Sequence, residues 1–285
     1  MKVALFGQTG QVATEVRRRS PDGVNVVAIG RDRADFSSPE MVAATVSSLN
    51  ADVIINAVAY TAVDKAESEP GAADLVNHLS VAALADAATM RQIPLVHIST
   101  DYVFDGSGRN AWQPGAPKAP LGVYGVTKLA GEEAIRSSGG AHVILRTSWV
   151  FSAQGANFVK TMLRLGTERD QLSVVSDQIG GPTPASAIAD AVFAISRALT
   201  EGQPGGTYHF SGTPEVSWAI FAREIFQQSD LNVDVTDILT ADYPTRAKRP
   251  LNSRLDCESL THDFGIRRPD WRNELANVLK DLGAT

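Results

Sequence analysis

Short runs rich in β-branched residues alternate with longer stretches of helical periodicity along most of this chain, and that alternation leaves few folds open to it. It is the pattern of a parallel sheet wound with helices. Strands are expected at 2–6, 24–29, 52–57, 95–99, 143–147 and, late in the chain, 207–210. Several are nearly continuous apolar runs, as strands covered on both faces require. The intervening helices are expected at 11–19, 39–49, 70–91 and 124–137, the third opening on a proline that suits a first helical turn. The fold class is α/β, a Rossmann-type doubly wound parallel sheet.

After Thr147 the pattern loosens into Gly- and Pro-bearing stretches such as DQIGGPTP and ADYPTRAKRP, with helices expected at 157–165, 186–199, 217–228 and 271–282. Residues 1–150 together with about 183–211 are assigned to the sheet domain, and about 151–182 with 212–285 to a smaller C-terminal lobe that caps it. A chain of 285 residues is long enough for its core to divide in this way. Its net charge of −6 argues against a nucleic-acid partner, whose electrostatic footprint would be basic. No apolar run reaches the roughly 20 residues that span a bilayer, and the chain opens directly into the strand pattern MKVALFG without a signal-peptide layout. No membrane partner is expected. The single cysteine, Cys257, cannot make an intramolecular disulfide and fits a reducing compartment, so the expected location is cytoplasmic.

The segment Gly7-Gln8-Thr9-Gly10-Gln11-Val12-Ala13 follows the first strand and opens the first helix as G-x-x-G-x-x-A. Gly7 allows the tight turn, Gly10 lets backbone approach a pyrophosphate, and Ala13 is small enough for close helix–sheet packing. Thr9, Gln11 and Val12 flank the same turn. In a strand–turn–helix at the N-terminus this points to a dinucleotide, which makes the sheet domain the dinucleotide-binding one. At the end of the second strand, where an acidic residue would hold the ribose of NAD, stands Gly30-Arg31-Asp32-Arg33. Arg31 offers a planar fork of donors that matches a 2′-phosphate, so the expected cofactor is NADPH, with NADH the alternative if Arg31 is only a solvated turn residue. Asp35 and Phe36 are expected along the adenine. The third strand ends in small residues, and Ala57, Ala59, Tyr60 and Thr61 are expected beside the cofactor at the carboxyl edge of the sheet.

Tyr124-Gly125-Val126-Thr127-Lys128 puts a phenol and an amine on one helix face, one turn apart. The strand ending at Ser99 delivers Thr100 and Asp101 to the same sheet edge. These are the parts a ketone reduction needs. The carbonyl oxygen must take a proton as hydride arrives at carbon, and a phenol supplies one if its pKa is pulled down from about 10. The Lys128 ammonium is expected to do that by favouring the phenolate, and Thr100 to donate a hydrogen bond to the developing alkoxide. His97, inside an apolar strand, reads as a satisfied core residue, and the five histidines show no metal-ligand spacing.

The stretch Ser99-Thr100-Asp101-Tyr102-Val103-Phe104-Asp105-Gly106 closely resembles the dTDP-4-dehydrorhamnose reductases of the extended short-chain dehydrogenase/reductase type. So do the stretch from Asn56 to Glu67 before it and Arg146-Thr147-Ser148-Trp149-Val150-Phe151 after it. The resemblance continues through Asn157-Phe158, Asp177-Gln178, Gly181-Pro182-Thr183 and Arg249-Pro250. It implies transfer of hydride from NAD(P)H to C4 of dTDP-4-dehydro-L-rhamnose, a step toward a cell-surface polysaccharide precursor, with the C-terminal lobe binding the nucleotide-sugar substrate. It makes Tyr124, Lys128 and Thr100 the catalytic trio, Asp101 a substrate contact and Trp149 a wall for the sugar, whose apolar face suits an indole. Two alternatives stay open: another nucleotide-sugar reductase or epimerase on the same scaffold, and a non-catalytic regulatory subunit of related sequence. Some members form homodimers bridged by Mg²⁺ through acidic residues on two helices. Here Glu15 stands at the first place but Ser186 at the second, and a hard cation prefers carboxylates, so no structural metal is expected.

Overall fold

The computed structural model describes residues 1–284. The first half of the chain runs β1 (Lys2–Phe6), α1 (Gln11–Arg18), β2 (Asn25–Ile29), α2 (Pro39–Ser47), β3 (Val53–Asn56), α3 (Val63–Ala66) and α4 (Pro70–Asp74). A π turn at Leu75–Leu79 leads to α5 (Ser80–Met90), β4 (Leu95–Thr100), α6 (Val123–Ser138) and β5 (His142–Thr147). The second half adds β6 (Val150–Phe151), α7 (Phe158–Glu168), β7 (Gln171–Val175), β8 (Ile179–Gly180), β9 (Thr183–Pro184), α8 (Ala185–Thr200) and β10 (Gly206–His209). It ends with β11 (Val216–Ser217), α9 (Trp218–Gln228), β12 (Asp234–Ile238), β13 (Asn252–Ser253), α10 (Glu258–Phe264) and α11 (Trp271–Asp281).

The six apolar runs become one sheet in the order β10-β5-β4-β3-β1-β2, parallel at every pairing. Period-two alternation divides their side chains between two buried layers. Val3, Leu5, Val53 and Ile55 pack with Val16 of α1 and Ile188 and Val192 of α8, whereas Ala4, Phe6 and Ile54 pack with Val42 of α2, Leu84 of α5 and Ile135 of α6. The strand order reverses at β1, with β2 on one side and β3 on the other. In open α/β sheets that reversal opens a crevice at the carboxyl ends of the strands. A third core, built around Phe221, Trp271 and Leu279, joins α7, α9 and α11 to the β7–β12 pair. Helix α10 lies back against the sheet, where Leu260 is part of the first core.

One helix departs from its expected course. The stretch read as a helix over 70–91 is broken by the π turn, and the reason is Asn77. Its side chain turns away from the helix to accept the Tyr60 N–H at 2.8 Å and donate to the Tyr60 carbonyl at 3.2 Å. Single π turns inside α-helices recur at functional sites. Helix α6 is fixed by its neighbours as well. Its N-terminus is capped from α3's far end by Glu67, which accepts the Val123 N–H at 2.8 Å, and Gly139 closes it with a left-handed φ of 73°. A methyl group at Gly125 would stand 2.2 Å from the Tyr102 carbonyl oxygen, and one at Gly131 would stand 2.2 Å from that of Asn77. Below these, Glu132 makes a bidentate ion pair with Arg146 of β5 at 2.6–2.8 Å and accepts from Ser99 at 2.6 Å.

Candidate active site

The carboxyl ends of β1, β3, β4 and β5 open into a cleft of about 600 Å³. Each strand contributes its next few residues. After β1, Gly7 takes a φ of +116°, which side chains rarely adopt, and the turn passes Thr9 and Gly10 to the N-terminus of α1. A methyl group at Gly7 would press on Ala13 at 3.3 Å, whereas one at Gly10 would meet nothing within 4 Å. The backbone at Gly10 therefore faces open space, as the approach of a pyrophosphate requires. No acidic residue stands in the first turn of α1 to oppose the charge. The Gln11 side chain is engaged elsewhere, accepting from Asn157 at 2.9 Å and Ser152 at 3.2 Å, so its offer to a phosphate is its backbone N–H. Val12 lines the cleft beside it.

After β3, Ala57, Ala59 and Thr61 line the opposite wall, and Tyr60 is held through its backbone by Asn77 while its hydroxyl donates to Glu69 at 2.7 Å. After β2, Gly30 is overlain by the Gln8 side chain. Arg31 projects beyond it with 81% of its side chain exposed and Asp35 3.5 Å away. The Asp35 carboxylate lies below its usual range because it accepts the Ser37 N–H and faces Arg31. Phe36 corrects the sequence expectation. It is 4% exposed, packed edge-on against Phe6 at 6.0 Å in the sheet core, so its ring is spent there and does not lie along an adenine.

The catalytic candidates meet at the far end of the cleft. Thr100, Asp101, Tyr124, Lys128 and Trp149 all line it. The Thr100 hydroxyl accepts the Tyr102 N–H and donates to Asp101 Oδ1 at 3.2 Å, while Asp101 Oδ2 has no hydrogen-bond partner among the described residues. Burial pushes the Asp101 carboxyl up to about 6, against weaker downward pulls from the hydroxyls of Ser253 and Thr100. The Tyr124 ring packs edge-on against Tyr102 at 5.4 Å. Burial pushes its phenol up to about 12, and the Thr100 hydroxyl offsets this only in part.

The expected lowering of this phenol by Lys128 is not among the influences on it. Lys128 is 1% exposed, and its Nζ donates to the Ile98 carbonyl at 2.8 Å and lies 3.0 Å from His97 Nε2. Burial brings Lys128 down to about 8, although Glu132 pulls the other way. His97 is buried and satisfied as expected, but its contact with Lys128 was not anticipated, because sequence gives no register between a strand and a helix 31 residues apart.

Trp149 stands in the left-handed region with φ of +50°, an outlier for a bulky residue, and such strain clusters at functional sites. One face of its indole stacks on Trp218 at 3.6 Å, and its edge covers Gly180. Trp218, at the start of α9, was read from sequence only as a helix residue. Asp64 and Arg249, from two of the family-like stretches, form an ion pair at 2.6 Å and tie the C-terminal segment to α3 beside the cleft.

Away from the cleft, the buried Glu15 pairs with Arg18 at 3.0 Å and the buried Ser186 donates to Glu274 at 3.0 Å. Among the described residues no group of three His, Cys, Asp or Glu side chains is arranged to hold a metal ion, and no helix is long and apolar enough to cross a membrane.

Residues 1–284 match the family described as RmlD substrate binding domain. The chain is 44% identical over 286 residues to a dTDP-4-dehydrorhamnose reductase of Sinorhizobium fredii, covering 98% of this chain and 97% of that one. Its structure is similar to the crystal structure of a dTDP-4-dehydrorhamnose reductase from Clostridium acetobutylicum, with TM-score 0.93, 33% identity, and 99% of this chain and 100% of that chain covered. It is also similar to one from Bacillus anthracis in complex with NADP, with TM-score 0.92, 32% identity, and 98% and 99% covered.

Proposed function

The chain belongs to the RmlD substrate-binding-domain family, that of the dTDP-4-dehydrorhamnose reductases, and from that membership we propose that it reduces the C4 ketone of dTDP-4-dehydro-L-rhamnose to dTDP-L-rhamnose at the cleft described above. The observation that carries this reading is the meeting of Thr100, Tyr124 and Lys128 with Thr9 and Gly10 of the glycine turn in one cleft. The open space at Gly10 and the acid-free helix start fit a dinucleotide diphosphate, and the exposed Arg31 fits the 2′-phosphate of NADPH. The bound dinucleotide would supply hydride to the C4 carbon.

The chain's own side chains then have separate tasks. Tyr124 gives its phenolic proton to the ketone oxygen, and Thr100 turns its hydroxyl from Asp101 toward the same oxygen. Lys128, when charged, stabilises the phenolate left on Tyr124. Asp101 Oδ2, buried and unpartnered, accepts from a hydroxyl of the sugar, and the free face of Trp149 walls its ring. The lobe around α7, α9 and α11 binds the rest of the sugar nucleotide. We take the cytoplasm as the compartment, in keeping with the single buried thiol of Cys257, and a homodimer as an assembly open to the chain.

The test is to incubate purified protein with dTDP-4-dehydro-L-rhamnose and NADPH, follow nicotinamide absorbance and identify the sugar. Formation of dTDP-L-rhamnose with one NADPH consumed per sugar is expected. NADPH left unconsumed, or a 4-epimer released with no net oxidation, would reject the proposal.

A further inference from the structure

Asn56, His97 and Lys128 form a buried chain of hydrogen bonds behind the cleft, and its polarity can be read from one end. The Asn56 Oδ1 accepts the Val58 N–H at 3.0 Å, which turns the Nδ2 of the same amide toward His97 Nδ1, 3.0 Å away. An amide nitrogen only donates, so His97 Nδ1 accepts, and a neutral imidazole must then carry its proton on Nε2. That Nε2 faces Lys128 Nζ at 3.0 Å. A donor aimed at Nζ suits the lone pair of a neutral amine and opposes an ammonium, which has three donors and no acceptor.

The three side chains are no more than 1% exposed, so solvent does not rearrange them. Burial holds His97 well below the ordinary histidine range, which keeps the ring neutral. The other ionisable groups around Lys128 are Glu132 and Tyr124 on its own helix and Asp101 at the end of β4. Of these, Glu132 favours the ammonium, but its carboxylate is already taken by Arg146 and Arg136.

We propose that His97, oriented by Asn56, is a positioning residue for Lys128: it holds Nζ in place and favours the neutral amine, so that this chain sets the pH at which Lys128 loses its charge. The inference rests on the catalytic role given to Lys128 above, and it predicts an alkaline limit to the reductase that changes at Asn56 can move.

The full-length protein with ¹³C-labelled lysine would be titrated by NMR, the Lys128 signal being assigned by its loss in Lys128→Met, and the pH profile of kcat/KM recorded alongside. Asn56→Asp replaces the donor with an acceptor, which calls the imidazole proton to Nδ1 and leaves Nε2 free to accept from the ammonium. The Lys128 midpoint should rise by about one to two pH units, the worth of one hydrogen bond to a charged group. Asn56→Ala removes the donor without adding charge and must raise the midpoint too, which serves if the carboxylate variant does not fold. In His97→Gln the new amide can accept from Asn56 and donate to Lys128, so the wild-type midpoint should be kept. Coincident midpoints in wild type and both Asn56 variants overturn the proposal, even if stability or kcat has fallen, since a merely structural role would do that much. A midpoint that moves while the alkaline limb of kcat/KM stays fixed leaves the proposal standing and removes Lys128 from the catalytic reading instead.

Discussion

Replacing Asp101 with asparagine should make the protein more stable and the enzyme slower, and the size of each effect follows from the same buried oxygen. Asp101 is 3% exposed, and its Oδ2 has no hydrogen-bond partner among the described residues. Burial lifts its carboxyl from an ordinary value near 4 up to about 6. The folded state thus binds this proton more tightly than the unfolded chain, by roughly two pH units, or about 3 kcal/mol. The sign is that of a raised carboxyl: the penalty is absent below about pH 4, grows between 4 and 6, and is complete above 6. An asparagine carries no charge at any of these values. Asp101→Asn should therefore gain up to about 3 kcal/mol at pH 8, several degrees in Tm for a chain of this size, and almost nothing at pH 4. A sugar hydroxyl would lose an ionised acceptor in the same step, so kcat/KM should fall by about 10- to 100-fold with NADPH affinity intact. Calorimetry at pH 4.5 and pH 8 and steady-state kinetics on one preparation measure both. A variant that gains equally at the two pH values, or loses stability at pH 8, refutes the account of a stranded charge. Unchanged sugar kinetics would remove Asp101 from the substrate site.

Tyr124→Phe should keep NADPH affinity and lose about 10²- to 10⁴-fold in kcat, because only the proton donor is gone; a variant with near wild-type kcat takes Tyr124 out of the mechanism. Arg31→Ala should weaken NADPH by about 10- to 100-fold and leave NADH nearly unaffected, as fluorescence titration would read; equal losses would make Arg31 a turn residue only. Trp149→Ala should depress kcat/KM for the sugar by about 10²-fold with NADPH affinity retained. A collapsed Tm with normal sugar kinetics would instead assign the indole to packing on Trp218. Arg146→Met leaves Glu132 buried opposite a thioether and should cost about 3–5 kcal/mol in a denaturant titration, unless Arg136 alone suffices to hold the carboxylate.

The sheet was legible because most of its strands are nearly continuous apolar runs that alternate with helical stretches. The expected and observed bounds of 2–6 coincide, and the other five strands differ by one residue or so at an end. The two-residue strands β6, β8, β9, β11 and β13 escaped notice because two residues carry no period. The π turn escaped because a side chain reaching another loop caused it, and periodicity does not record such contacts. At the site, Thr100, Tyr124, Lys128 and Trp149 were named through spacing and resemblance, and they line one cleft. Phe36 was misjudged because aromatic character looks the same in a core and beside a ligand. The Lys128 environment was misjudged because charge was counted without desolvation, and the contact of His97 with it went unseen because the two lie on different elements.

Helix α6 reaches its place by subtraction. At Gly125 and Gly131 its backbone lies against the carbonyls of Tyr102 and Asn77 with no room for a single methyl group. Tyr124 and Lys128 thus stand on a part machined to zero clearance on one side, braced through Glu132 on the other. The consequence is evolutionary as much as mechanical. Since a displacement of about 1 Å can cost 10²-fold in rate, the phenol proposed as proton donor has almost no tolerance to spend, and retuning this scaffold for a different ketone must come from the walls, Trp149, Trp218 and the C-terminal segments, while the helix stays where two absent side chains have set it.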